Sequence, residues 1–175
     1  MPQKLSQKSE AEKAVDIVRD AGGKIVGRTR LQKIAYVFEL AGVGEGFSFT
    51  YHNFGPYSDE LTDAMQDASL LGLIDEKEKP SSWDGYYSVF TSTGKSKASA
   101  TKVRAKIAEQ IVDADAVELE LAATAAYLAT KNFADPWSET TVRKPIKATP
   151  KRLANAKQLY QALRQIHTPK RLPSI

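Results

Sequence analysis

Residues 58–91 read SDELTDAMQDASLLGLIDEKEKPSSWDGYYSVFT, a capped helix followed by two strand-like runs. Ser58 is a natural N-cap, and Asp59 and Glu60 put carboxylates in the first turn, where unpaired N–H groups and the helix dipole favour negative charge. Leu61, Ala64, Met65 and Ala68 share one face at helical spacing, and Gly72 ends the run. Residues 73–77 and 86–91 follow as strand candidates. The turn formers between them, Lys79-Pro80-Ser81-Ser82-Trp83-Asp84-Gly85, predict a hairpin.

On the N-terminal side, Ala11, Ala14, Val15 and Val18 predict a helix over 10–21, ended by Gly22-Gly23. Leu31, Ile34, Ala35 and Phe38 predict a second over 28–41, closed by Gly42, with a connection of five or six residues. Residues 47–51 alternate aromatic and small polar side chains, as in a half-buried strand, and Gly55-Pro56 is expected to turn the chain. On the C-terminal side a helical region opens after Thr91-Ser92-Thr93-Gly94, carrying Val103, Ile107 and Ile111. Further helices are expected at about 116–130 and 150–166. This order is that of an α+β, mostly helical protein: a winged helix-turn-helix with a C-terminal helical extension. Residues 1–92 form the winged-helix core, 93–166 an extension packed on it in one compact domain, and 167–175 a basic tail.

The chain has 175 residues, 42% of them hydrophobic, with two His and no Cys. At this length a single core buries roughly 70% of the surface the unfolded chain exposes, enough to sustain the fold without staples. The absence of Cys excludes disulfides, thiolate catalysis and Zn–thiolate or iron–sulfur sites, and two distant imidazoles leave no His-based metal site to expect. No stretch approaches about 18 uninterrupted apolar residues. The N-terminus lacks an apolar run of signal-peptide type, so a cytoplasmic location without membrane attachment is the expectation.

The net charge of +4 is unevenly spread. Residues 1–142 hold 16 basic and 21 acidic side chains, whereas 143–175 hold nine basic and no acidic ones. Such a segment either binds a polyanion or an acidic protein surface, or is a solvated face that pairs with its own acidic body.

Two segments carry a resemblance. Gly27-Arg28-Thr29-Arg30-Leu31-Gln32-Lys33-Ile34-Ala35-Tyr36 resembles the opening motif of the bacterial Panacea-type, SocA-like antitoxin domains and the related YwgA-like proteins. Tyr51-His52-Asn53-Phe54-Gly55-Pro56-Tyr57-Ser58 resembles the element that follows it there, and residues 119–147 resemble the distal helical part of the YwgA-like group. The resemblance spans about residues 10–165, and Tyr57-Ser58 after Gly55-Pro56 is closer to the YwgA-like pattern than to typical Panacea domains. It implies toxin neutralisation by protein contact, which in the Panacea group is often aided by a separate DNA-binding module; no such module fits in this chain.

In DNA-binding winged helices the helix before the hairpin enters the major groove. Here that helix carries Asp59, Asp63 and Asp67 at i, i+4 and i+8, with no Lys or Arg from 58 to 72. That face sets carboxylates against phosphates and reverses the electrostatic attraction that drives most DNA binding. The expected function is therefore a non-enzymatic protein-interaction module. Its candidate partner-binding residues are Arg28, Arg30, Gln32, Lys33, Tyr51, His52, Tyr57, Asp59, Asp63 and Asp67, and the resemblance makes a toxin the partner to expect. The alternative is a DNA-binding regulator using Lys95, Lys97, Lys102, Arg104, Arg143, Lys144, Lys147, Lys151 and Arg152, with Trp83 at the hairpin tip. Trp83, Tyr86 and Tyr87 are read either as ordinary hairpin packing or as a ligand platform. No G-x-S-x-G, G-x-x-x-x-G-K-[ST], G-x-G-x-x-G or H-E-x-x-H is present, so neither catalysis nor a cofactor or metal is expected. Monomer and homodimer both fit.

Overall fold

Helix formation starts at capped ends. In the computed structural model, which describes residues 7–94 and 101–175, Ser9 and Glu12 form a reciprocal capping box at the start of α1 (Glu10–Asp20). The chain then runs through β1 (Lys24–Val26), α2 (Arg28–Leu40), β2 (Thr50–His52), β3 (Gly55–Tyr57) and α3 (Asp59–Leu70). β4 (Ile74–Pro80), β5 (Tyr86–Ser92), α4 (Lys102–Ile111), α5 (Ala116–Thr130), α6 (Pro136–Arg143) and α7 (Pro150–Arg164) complete it. Ser58 Oγ caps α3 by accepting from the Leu61 amide, as expected. Asp115, Asp135 and Thr149 cap α5, α6 and α7, and Pro136 and Pro150 occupy first-turn positions where a missing N–H costs nothing.

The result is α+β and mostly helical, with seven helices and a small antiparallel sheet among the described residues. The sheet runs β1-β5-β4, with Ile25 opposite Phe90 and Ile74 opposite Ser92. β2 and β3 make a separate two-stranded ribbon.

Several expectations need correction. The connection between α1 and α2 is not a plain loop, because Lys24–Val26 pair with β5; three residues are too few to show an alternating pattern. The strand expected over 47–51 sits at 50–52, and Gly55-Pro56 is not the turn. His52 pairs with Gly55, so Asn53-Phe54 form the two-residue turn and Gly55-Pro56 open β3. Pro56 is tolerated because the ribbon's outer edge needs no donor there. The short helix α6 was not anticipated, and the helical region after Gly94 is described only from α4 onward.

α5 is the axis of the molecule. Its sequence AVELELAATAAYLAT is apolar around most of the helix, and residues 119–126 are all buried. Such a helix must be covered on every side, and its alanines let α2, α6, α7 and β3 approach closely. One hydrophobic cluster runs from Ala11 to Leu172, so the core-forming N-terminal part and the helical extension share it. The basic tail belongs to it too: Leu172 is buried, the Lys170 amide donates to Ala41 O at 3.0 Å, and the Tyr160 hydroxyl donates to Pro173 O at 2.6 Å. No helix among the described residues is long and apolar enough to cross a membrane.

Candidate functional site: the ribbon, its buried lysines and the flanking charged faces

The two motif segments lock onto each other. Gln32 on α2 treats the Ser58 backbone as a strand partner, accepting from its N–H at 2.8 Å and donating to its C=O at 3.0 Å. The same amide donates to Thr62 Oγ1 at 3.1 Å, and that hydroxyl lies 2.6 Å from the Tyr57 hydroxyl. Next along α2, Lys33 Nζ donates to Pro56 O at 2.8 Å. Gly55 is required where it stands: its φ is +85°, and a Cβ there would lie 2.6 Å from Thr124 Oγ1 on α5.

Gln32 and Lys33 are therefore not surface residues, which corrects their expected role in touching a partner. Lys33 is fully buried and Gln32 nearly so. A helix-start position next to Arg28 and Arg30 reads as part of a cationic cluster, but α2 is covered here by β3 and α5, and Gln32 reaches Thr62 of α3. Desolvation pushes the Lys33 ammonium down to about 7, opposed by nearby Glu120 and reinforced by Lys144 and Lys147.

Glu120 was not singled out beforehand. It is buried on α5, with Lys144 Nζ at 2.9 Å from one carboxylate oxygen and Lys147 Nζ at 2.7 Å from the other. Lys144 also donates to Asn53 O at the ribbon tip. The available signal was a carboxylate inside a run apolar on all sides, which must be buried and therefore paired.

Cations lie over the ribbon's aromatic rings as well. Arg143 is 4.8 Å from the Tyr51 ring centre and 5.2 Å from that of Phe133, and Lys147 Nζ is 4.6 Å from that of Phe54. The structure thus brings Tyr51, Arg143, Lys144 and Lys147 together, although they came from two different expected sites. His52 is exposed, stacked 4.9 Å from Tyr57, with Nε2 4.0 Å from Asp59.

The other candidates scatter. Arg28 pairs with Glu76 at 2.9 Å, and Arg30 donates to Val26 O and Ala114 O. Arg104 is buried and fully engaged by Asp20, Glu45 and Val43 O, which removes it from any phosphate-facing set; such a guanidinium joins α4 to α1. Lys102 and Lys151 are exposed and Arg152 half-buried, while Lys95 and Lys97 lie outside the described residues. Trp83 is 88% exposed at the β4–β5 tip, so core packing does not explain it. On α3, Asp59, Asp63 and Asp67 are exposed, and Glu60 accepts from the Ser48 amide. Leu70 and Leu71, at the end of the same helix, are also exposed.

The chain is similar to an uncharacterized protein, YwgA, of Bacillus subtilis (strain 168), at 34% identity over 86 residues. The match covers 49% of this chain and 51% of that protein, so about half the length of the relative is spanned. No family model matches, and no solved structure matches.

Proposed function

We propose that this chain is a non-enzymatic protein-interaction module built on a winged-helix core, of the kind found in toxin-neutralising or regulatory antitoxin domains. The order α1-β1-α2-α3-β4-β5, with β1 paired to β5 and β4 beside it, supports the winged-helix reading. The observation that carries the functional reading is the outer face of α3. It presents Asp59, Asp63 and Asp67, then Leu70 and Leu71, with no cation between 58 and 72. A helix placed to enter a groove but coated with carboxylates repels phosphate and suits a protein surface with an apolar centre and complementary charge.

The test compares immobilised wild-type protein with an Asp63→Lys/Asp67→Lys variant as bait in extract of the source organism. Both positions are exposed, so the fold should survive. A protein held by the wild type and lost from the variant supports the reading; equal retention, or none, counts against it.

A DNA-binding regulator is the second reading, favoured by Trp83, which is exposed at the tip of the β4–β5 hairpin. Its test is anisotropy of a labelled duplex at about 50 and 200 mM salt, where several phosphate contacts would cost roughly a thousandfold in affinity. The full chain is needed, since removing 143–175 would strip Ala156, Tyr160 and Leu163 of α7 from the core.

A further inference from the structure

Two surfaces on this molecule match each other in chemistry. One is the α3 face, acidic along its length and ending in Leu70 and Leu71, which are 85% and 66% exposed. The other surrounds α6, where Val142, Ile146 and Phe54 are 73%, 89% and 55% exposed. The rim of this second face is cationic: Arg143 follows Val142 in α6, Lys147 Nζ lies over the Phe54 ring, and Lys151 is exposed in the first turn of α7, four residues on. The nearby carboxylates offset only part of that charge: Glu139 balances Arg143, and Glu120 balances one of the two lysines, Lys144 and Lys147, that it holds. Contiguous exposed aliphatic and aromatic side chains rimmed by one sign of charge mark an interaction surface.

The ribbon β2–β3 sits between the two faces. Its outgoing strand leads through Ser58 into α3, with His52 4.0 Å from Asp59, while its tip, Phe54, lies under Lys147. The ribbon therefore joins the Asp59 end of the α3 face to the face around α6. We propose that the protein forms a two-fold dimer in which the acidic, leucine-tipped face of α3 docks on the basic apolar face around α6 of a second copy. With the axis beside the ribbon, each copy gives its α3 and receives its partner's, so both contacts are used twice and the assembly closes. The inference rests on the reading that α3 binds protein, and it names that protein as a second copy of this chain.

Sedimentation velocity on the full chain, at about 5 and 200 µM protein and at about 50 and 500 mM salt, tests it with two charge-reversed variants. Asp63→Lys/Asp67→Lys reverses α3, and Arg143→Glu/Lys151→Glu reverses the α6 face. The wild type should be dimeric at low salt and dissociate at least tenfold more readily at high salt. Each variant alone should be monomeric with an unchanged circular dichroism spectrum, and an equimolar mixture of the two should recover the dimer, because opposite signs then meet at both contacts. Ile146→Asp should also give monomer. A wild type that stays monomeric at the highest concentration overturns the dimer, as does a dimer indifferent to these substitutions or a mixture that fails to reassociate. If the wild type is monomeric while the extract experiment still shows an α3-dependent protein, the dimer fails and the protein-binding reading stands; if neither occurs, both fail.

Discussion

Lys33 carries an ammonium into a site with no solvent exposure, and its hydrogen bond to Pro56 O offsets only part of the desolvation. Burial lowers its pKa to about 7, against about 10.4 for a free lysine. Between those values the unfolded chain holds a proton that the native chain has released, so stability rises with pH across that window. Below about 7 both states are protonated and the cost of burying the charge is fully present. Buried Tyr36 and Tyr160, whose phenols burial pushes up, oppose the trend only above about pH 10, where unfolded tyrosines ionise. Urea unfolding between pH 7 and 9 should show stability increasing by on the order of 1 kcal/mol per pH unit. In Lys33→Met that slope should flatten, and a slope that persists would place the titrating group elsewhere. Lys33 was legible as a motif residue but not as a buried one, because a lysine in the first turns of a helix is ordinarily solvated.

The ribbon β2–β3 is too short to be stable alone, and its position depends on side chains from three helices. Gln32 of α2 holds its outgoing end, Thr124 of α5 packs against Gly55, and Lys144, just beyond α6, ties its tip to Glu120. Glu120→Ala would leave Lys144 buried without its counter-charge. It should destabilise the protein by about 3–5 kcal/mol, measured by denaturant unfolding; a loss below about 1 kcal/mol would mean that the lysines reach water instead. β4 shows another element-scale device. It is an open edge of the sheet, and its run Asp75-Glu76-Lys77-Glu78-Lys79 lines that edge with charge, which discourages strand addition. The helices other than α6 were readable from periodicity, and α3 from its capping serine as well. β1 and β3 were not, because strands of three residues are specified by their partners.

At the scale of the whole molecule, the cationic C-terminal segment is structural for much of its length. α7 covers α5, and the tail beyond it returns to the end of α2 through Lys170 and Leu172. Deleting residues 167–175 should lower stability by about 2–4 kcal/mol, the combined loss of one buried leucine and its hydrogen bonds. A thermal melt of the truncated chain checks this, and an unchanged midpoint would show that the tail only rests on the surface.

The linear pattern was enough to establish the α+β class, the α1-α2-α3-hairpin order, the N-cap of α3, the acidity of α3 and the absence of thiol chemistry. Each of these depends on neighbours within about a turn of helix or a strand pair. Tertiary structure alone decided which charges reach solvent. Lys33, Arg104 and Lys144 look like members of a cationic surface when the chain is read in order, yet each is drawn inward by an acceptor at least 23 residues away: Pro56 O, Asp20 and Asn53 O. A charge's partner is set by three-dimensional packing and not by spacing along the chain, so the faces left exposed, on α3 and around α6, emerge only after those pairings are made.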